Sequence, residues 1–311
     1  MWKYVLKRVL LTFVIMIASG IIVFTLMYVV PGDPARIMLG SEATQQDYLN
    51  KQHEMGLDRP YIAQLGEFLF DTFIKLDFGT SWVYKTPVWQ ELSSRLPRTL
   101  AINFFALFLN AILGTVLGIF AATHEGKWQD SFTMIIAMVF ISAPQFWVAL
   151  MFILLFSLKL GWLPAYGMDS WKSYVMPIVT SALGGIAINA RQGRSSMLEV
   201  IRSDFVTTAR AKGQTEKVIV RKHMLPNALM PIITGVAGGF TMIVGGNAIL
   251  EIVFSIPGVG AYLLTGINMR DRPIVLACTV FFAAFTSITI LLMDLAYAYL
   301  DPRIKAQYSR S

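Results

Sequence analysis

The chain has 311 residues, of which 55% are hydrophobic and 14% charged, with one cysteine and a formal net charge of +7. Soluble domains carry about 25% charged residues, so an ordinary water-soluble fold is excluded. The apolar residues are gathered into uncharged runs of about 20, the length a helix needs to cross roughly 30 Å of hydrocarbon, rather than the alternating segments of about 10 that mark a membrane barrel.

Six runs, Val9–Val30, Thr99–Ala122, Ser131–Leu158, Ser173–Ala190, Ala228–Leu250 and Ile274–Met293, predict an all-α integral membrane protein with six transmembrane helices. The first follows Lys3, Lys7 and Arg8 and is 22 residues long, beyond the 7–15 residues of a cleavable signal core. Residues 1–30 are therefore expected as an uncleaved N-terminal span. Residues 31–97 open with Pro31-Gly32-Asp33-Pro34 and carry Tyr61, Phe68, Phe70, Phe78, Trp82 and Trp89. They are too many for a connector and too aromatic for a disordered linker, so a small, partly helical cap on the extracytoplasmic face is expected.

Residues 98–300 form the expected five-helix core. The third run contains Pro144, which kinks a helix at membrane depth where neighbouring helices re-satisfy the freed carbonyl. The fourth run, at 18 residues, is the shortest; without it the basic segment that follows would fall on the wrong side. With both termini in the cytoplasm, the inner segments hold 15 Lys/Arg against 10 outside, and net charge divides as +9 inside and −1 outside. The N-in, C-in orientation follows from this positive-inside bias, and residues 301–311 form a cytoplasmic tail. The basic balance is a topological signal and requires no nucleic acid partner.

Residues 191–227 carry eight Lys/Arg, three acids and His223. Met197, Leu198, Ile201, Phe205 and Ala209 fall on one helical stripe, Gly213 reads as a helix stop, and Thr215 as the N-cap of a second short helix ending near Pro226. Two short helices presented to the cytoplasm make a docking surface; an ordinary basic inner loop accounts for the composition equally well. The fifth run is rich in glycine at Gly235, Gly238, Gly239, Gly245 and Gly246, which reads either as close helix packing in lipid or as a helix that lines a path. Two acids intrude on apolar runs, Glu251 and Asp294. Ionisable groups at that depth are functional by default, although Glu251 also lies near the outer interface and Asp294 near the inner one. Cys278 lies inside the last span and can form no disulfide within the chain.

Several chemistries are missing. The only Gly-Lys pair, Gly126-Lys127, is followed by Trp128, so no P-loop is present. No H-E-x-x-H or G-x-S-x-G occurs, and His53, His124 and His223 lie in separate loops, which argues against a metal site.

The stretch Thr207-Thr208-Ala209-Arg210-Ala211-Lys212-Gly213, followed after nine residues by His223-Met224-Leu225-Pro226, resembles the cytoplasmic signature of ABC-importer permeases. That signature reads E-A-A, three residues, G, nine residues, I, one residue, L-P. Ala209, Gly213, Leu225 and Pro226 match it; Thr207, Thr208 and His223 depart from it, so the family glutamate's contact is not carried over. The form T-A-R-A-K-G is similar to the dipeptide, oligopeptide and nickel branch. So are Ser195–Val200, Asp204-Phe205, Pro31–Pro34, Asp77–Ser81, Pro87-Val88, Pro257–Gly260 and Asp301–Ile304, and the long outer segment matches one of the two permease types.

The resemblance implies a type I ABC-importer permease fold in a bacterial or archaeal cytoplasmic membrane. It implies a second homologous permease, two P-loop ATPase subunits that bind ATP and Mg, and an extracytoplasmic substrate-binding protein. This chain would be non-catalytic and hold no cofactor. Ala209, Arg210, Ala211, Lys212, Gly213, Leu225 and Pro226 would couple to the ATPases. Ala209 and Gly213 would let the backbone seat closely, and Arg210 and Lys212 would pair with acids there. Asn247 and Glu251 would line the pathway between the two permeases. Short peptides are the first substrate expectation, with glutathione and nickel or a nickel chelate as alternatives. A stand-alone channel or secondary transporter would explain six spans but not the spacing of the basic segment.

Overall fold

The computed structural model of the chain describes residues 2–40, 43–245 and 248–300 and is helical almost throughout. The first helix, α1 (Trp2–Val29), stops where Pro31 and Gly32 turn the chain. Gly32 has φ +126, and a side chain there would meet the Arg270 guanidinium, whose Nη2 donates to Pro31 O at 2.5 Å. The outer segment then forms α2 (Pro34–Leu39), α3 (Gln45–Glu54) and α4 (Tyr61–Phe70). Local chemistry starts the first two: the Asp33 side chain accepts from Ala35 N, and Thr44 and Asp47 form a reciprocal capping box that satisfies two orphan donors. After these helices a single isolated bridge joins Thr80 and Pro87 among the described residues.

Helix α5 (Val88–Thr123) has 36 residues and begins well before the apolar run at Thr99. Residues 88–98 are helical but polar on one side, so hydropathy alone marks the start too late. The third run is broken into α6 (Trp128–Ser142) and α7 (Gln145–Phe152), the latter continuing as a π-helical turn to Lys159; the two parts meet at 102°. This far exceeds a kink. Ala143, the residue before Pro144, is extended at φ −74, ψ 127, as the proline ring requires of its predecessor.

Helix α8 (Lys172–Ile201) extends eleven residues beyond the fourth apolar run. After α9 (Asp204–Ala211) and α10 (Glu216–Ile219), the fifth run is divided among α11 (Leu225–Gly239), α12 (Met242–Gly245) and α13 (Ala248–Val253). Gly238 and Gly239 each cost about 1 kcal/mol in a helix interior, and the backbone tightens there: Phe240 N bonds Ala237 O and Thr241 N bonds Gly238 O. Asn103 Nδ2 donates to Ile243 O at 2.8 Å, supplying a partner to a carbonyl at the break. The described residues end in α14 (Val259–Asn268) and α15 (Arg272–Leu300). Among the described residues, α1, α5, α8 and α15 are long and apolar enough to cross a membrane, and α6 with α7 qualifies as a bent pair.

The chain divides into two compact units. One comprises Met1–Thr99, Val244–Ala248 and Pro257–Ser311; the other comprises Leu100–Ile243 and Ile249–Ile256. The last two helices thus belong with the first span and the cap, whereas the linear division groups them with residues 98–300.

In the first unit, Phe24 of α1 stacks on Phe68 and meets Tyr61 edge-on, while Val88, Leu92, Val259, Tyr262, Ile274, Ala277 and Cys278 form a core. Asp271, fully buried, accepts from Ser81 Oγ at 2.6 Å, Val83 N at 3.0 Å and Ile274 N at 3.4 Å, which ties the outer turn to the start of α15. Asp294 pairs with Arg8 at 2.8 Å.

In the second unit, α5 and α8 pack through glycine. A Cβ at Gly118 would lie 2.6 Å from Ala190 O, and one at Gly114 2.6 Å from Asn189 Cβ. Asn189 Nδ2 also donates to Asn110 Oδ1 at 2.7 Å. Of the glycines in the fifth run, Gly239 abuts Leu107 and Gly235 abuts Gln192, but Gly238 and Gly245 have open space; Gly246 lies outside the described residues. A second cluster joins Ile102, Ala149, Met176, Leu250, Phe254 and Ile256.

Candidate functional site

The basic segment expected to form a docking surface folds as one compact block at the end of α8. Arg202 ends that helix, Ser203 adopts the extended conformation of an N-cap (φ −76, ψ 150), and α9 begins. This two-residue break resets the helical phase. Met197, Leu198 and Ala209 of the expected stripe are buried, but Phe205 is exposed and Val206 takes its place inside. Ala122, Met197, Leu198, Val206, Ala209, Ile219, Met224 and Ala228 close a single core.

Gly213 ends α9 in the left-handed region at φ +73. Its N–H donates to Arg210 O, and Gln214 N–H donates to Ala209 O, the paired bonds of a Schellman turn. Thr215 follows at φ −69, ψ 146 as the backbone N-cap of α10. That helix does not end near Pro226. It runs through a π-helical turn, Val220–Met224, into α11, whose second residue is Pro226.

The block divides its signature residues by burial. Ala209 is 5% exposed, and its side chain packs in this chain's own core. Thr207, Thr208 and the run Arg210–Val218 are exposed, with Ala211, Lys212 and Gly213 at the apex, while Leu225 is half-buried and Pro226 exposed. Arg210 is paired within the chain: its Nε donates to Glu216 Oε1 at 2.7 Å across the Gly213 turn. His223 Nε2 meets Gln214 Oε1 at 2.9 Å, so the residue that replaces the signature isoleucine braces the same turn. Among the exposed cations, Lys212 is the apex charge.

Two ion pairs fasten the block's base. Arg202 reaches Glu125 at 2.7 Å, and Arg194 grips Asp130 through both Nε (2.5 Å) and Nη2 (2.7 Å). Asp130 also accepts from Gly126 N. Neither member of the Asp130–Arg194 pair carries a motif in the sequence, and only three-dimensional proximity reveals it. Of the expected pathway residues, Glu251 is 4% exposed within α13, and Asn247 lies outside the described residues.

Comparison with known proteins finds relatives along nearly the whole chain. Residues 114–306 match the family described as binding-protein-dependent transport system inner membrane component, and residues 1–103 match its N-terminal companion. The chain is 35% identical over 305 residues to the glutathione transport system permease protein GsiC of Salmonella typhimurium strain LT2, covering 98% of this chain and 99% of that protein. It is 36% identical over 305 residues to GsiC of Escherichia coli strain K12, with the same coverage. It is 36% identical over 333 residues to the dipeptide transport system permease protein DppB of Alkalihalophilus pseudofirmus, covering 98% of this chain and all of that protein. Among solved structures, a chain of the inward-facing MetNI methionine ABC transporter aligns with a TM-score of 0.49 at 21% identity, over 66% of this chain and 96% of that one. The chain therefore belongs to the family of inner-membrane permease components of binding-protein-dependent ABC importers, as a multi-pass, all-α membrane protein.

Proposed function

We propose that the chain forms half of the translocation pathway of an ATP-driven importer of short peptides in the bacterial inner membrane. The observation that carries the substrate class is end-to-end similarity, at 35–36% identity, to permeases named for a dipeptide and for glutathione, which is itself a tripeptide. Glutathione is the alternative cargo on the same grounds. A second permease would complete the pathway, an extracytoplasmic binding protein would deliver the peptide, and two ATPase subunits would bind ATP and Mg.

Coupling in this reading runs through the exposed rim Thr207–Val218. The Schellman turn holds the rim's shape, and Lys212 supplies a charge free to pair with an acidic groove on an ATPase. Closure of the ATPase dimer would move the block, and with it the ends of α8 and α11, to alternate access between the two faces.

The test is Gly213→Asp in the reconstituted importer. A Cβ at this position meets nothing within 4 Å, so the change adds a negative charge at the apex at a backbone cost of about 1 kcal/mol. The expected outcome is normal insertion with peptide uptake lost or uncoupled from ATP hydrolysis, while Gly213→Asn, which tolerates the left-handed region, retains most activity. Normal peptide uptake by Gly213→Asp would refute the docking assignment. Failure of wild-type importer to take up any di- or tripeptide would refute the substrate class.

A further inference from the structure

A cavity of about 290 Å³ lies in the first unit, walled by the aromatic side chains of Phe24, Phe68, Phe78 and Trp82. Its ionisable lining sorts cleanly. His53 pairs with Asp58, Glu54 with Lys51 and Lys85, Arg59 with Glu67, and Asp71 with Lys75. Two lining charges, Asp77 and Arg272, have no ion-pair partner among the described residues, and they are opposite in sign.

Arg272 is held in place without a counterion. Its guanidinium lies over the rings of Phe24 and Trp82, at 5.0 and 5.4 Å, and Nη1 donates to Gln64 Oε1 at 2.6 Å. Gln64 is itself fixed, because its amide nitrogen donates to Leu57 O and Arg59 O; the amide cannot flip without losing both bonds. One of five guanidinium donors is thus used, and the group is oriented in advance, the arrangement that suits bidentate capture of an anion. Among the described residues Asp77 Oδ1 accepts from Gly79 N alone, at 2.8 Å, and Asp77 is exposed at the cavity wall.

We infer that this cavity is a binding site for a small zwitterion, with the anionic group on Arg272 and the ammonium on Asp77. The volume is at the lower end for small-molecule sites and suits a dipeptide. The choice of a peptide as occupant rests on the transport reading above; the headgroup of phosphatidylethanolamine carries the same pair of charges and is the other source of this chemistry. The aromatic walls accept an apolar side chain.

The experiment uses the full-length chain in nanodiscs of phosphatidylcholine and L-alanyl-L-alanine as the probe, read by saturation-transfer NMR. Free dipeptide should bind, and capping either end, as N-acetyl-Ala-Ala or as Ala-Ala-amide, should weaken binding at least about tenfold, the worth of one charge-assisted bond. Asp77→Asn should weaken the free dipeptide equally but leave N-acetyl-Ala-Ala unchanged, and Arg272→Gln should do the same for the amide. Asp77 is exposed, so its variant tests the site without endangering the fold. Dipeptide binding that disappears when phosphatidylethanolamine replaces phosphatidylcholine would identify the headgroup as the natural occupant of the same zwitterion site. Equal binding of free and capped peptides, or no effect of Asp77→Asn, would overturn the proposal. Peptide uptake by the reconstituted importer is a separate readout: it survives if only this site is wrong, and is absent if the transport reading is wrong.

Discussion

Replacing Arg194 with methionine keeps most of the side-chain volume at its place on α8 but removes both donors to Asp130. The Asp130 residue is 4% exposed, so the variant leaves a carboxylate buried with only the Gly126 amide, at 3.3 Å, to solvate it. Breaking a buried pair from one side costs about 3–5 kcal/mol. The remaining amide places the expectation near the lower end, about 3 kcal/mol. Asp130→Asn should cost less, about 1–2 kcal/mol, because the Arg194 side chain is 28% exposed and water reaches the orphaned guanidinium. Removing both charges, as Asp130→Leu with Arg194→Met, should recover much of the loss, since a well-packed apolar pair replaces a buried ion pair at little or no cost. The assay is equilibrium unfolding of wild type, Arg194→Met, Asp130→Leu and the double variant in the same detergent micelle, analysed as a double-mutant cycle, with Asp130→Asn measured beside them. An Arg194→Met protein within about 0.5 kcal/mol of wild type, or a double variant no more stable than Arg194→Met, would refute the burial argument.

Gly118→Ala should destabilise by about 1–3 kcal/mol, because its Cβ meets backbone atoms of Ala190, Gly193 and Arg194 at 2.6–3.0 Å; Gly238→Ala, with open space, should be neutral or mildly stabilising. Equal unfolding midpoints for the two would sink the α5–α8 contact. Asp271→Ala strands the buried Ser81 hydroxyl and the Val83 amide, at about 1–3 kcal/mol, and should raise hydrogen exchange in residues 80–87; unchanged protection there would contradict the role of Asp271. In the cap, hydrogen bonds from Lys51 and then Lys85 hold the Glu54 carboxyl below its ordinary value. Its stabilisation is therefore present above an unfolded-state pKa of about 4.3 and is lost as pH falls through the lower folded value. Protection factors across residues 45–58 should drop on acidification below about pH 4, with a flatter profile for Glu54→Gln, and identical profiles would rule the cluster out.

What could be read from the sequence follows from the range of each interaction. Apolar runs placed α1, α8 and α15 because transfer into lipid depends on local composition. Pro144, Gly213 and Thr215 marked real boundaries because their backbone restrictions act on their own residue and its neighbours. The start of α5 at Val88 was hidden because Gln90–Arg98 are helical without being apolar. Phe205 shares a stripe with Met197 and Leu198 only if the helix is unbroken; the break at Arg202 and Ser203 shifts the phase, and no single residue there announces it. The pairs Asp130–Arg194 and Ser81–Asp271 join positions 64 and 190 residues apart, and nothing local encodes them.

The core beneath the docking block contains Ala122 from α5, Met197 and Leu198 from α8, and Ala228 from α11, alongside Val206 and Ala209 of α9. A tether of flexible loops would absorb a push as slack. Here three long helices share one packed hub, and closely packed interiors transmit strain, so in the proposed coupling a displacement at the Lys212 apex would reach all three at once. In that proposal the rim would be the handle of a crank, and the stroke it received would set the direction in which those helices respond.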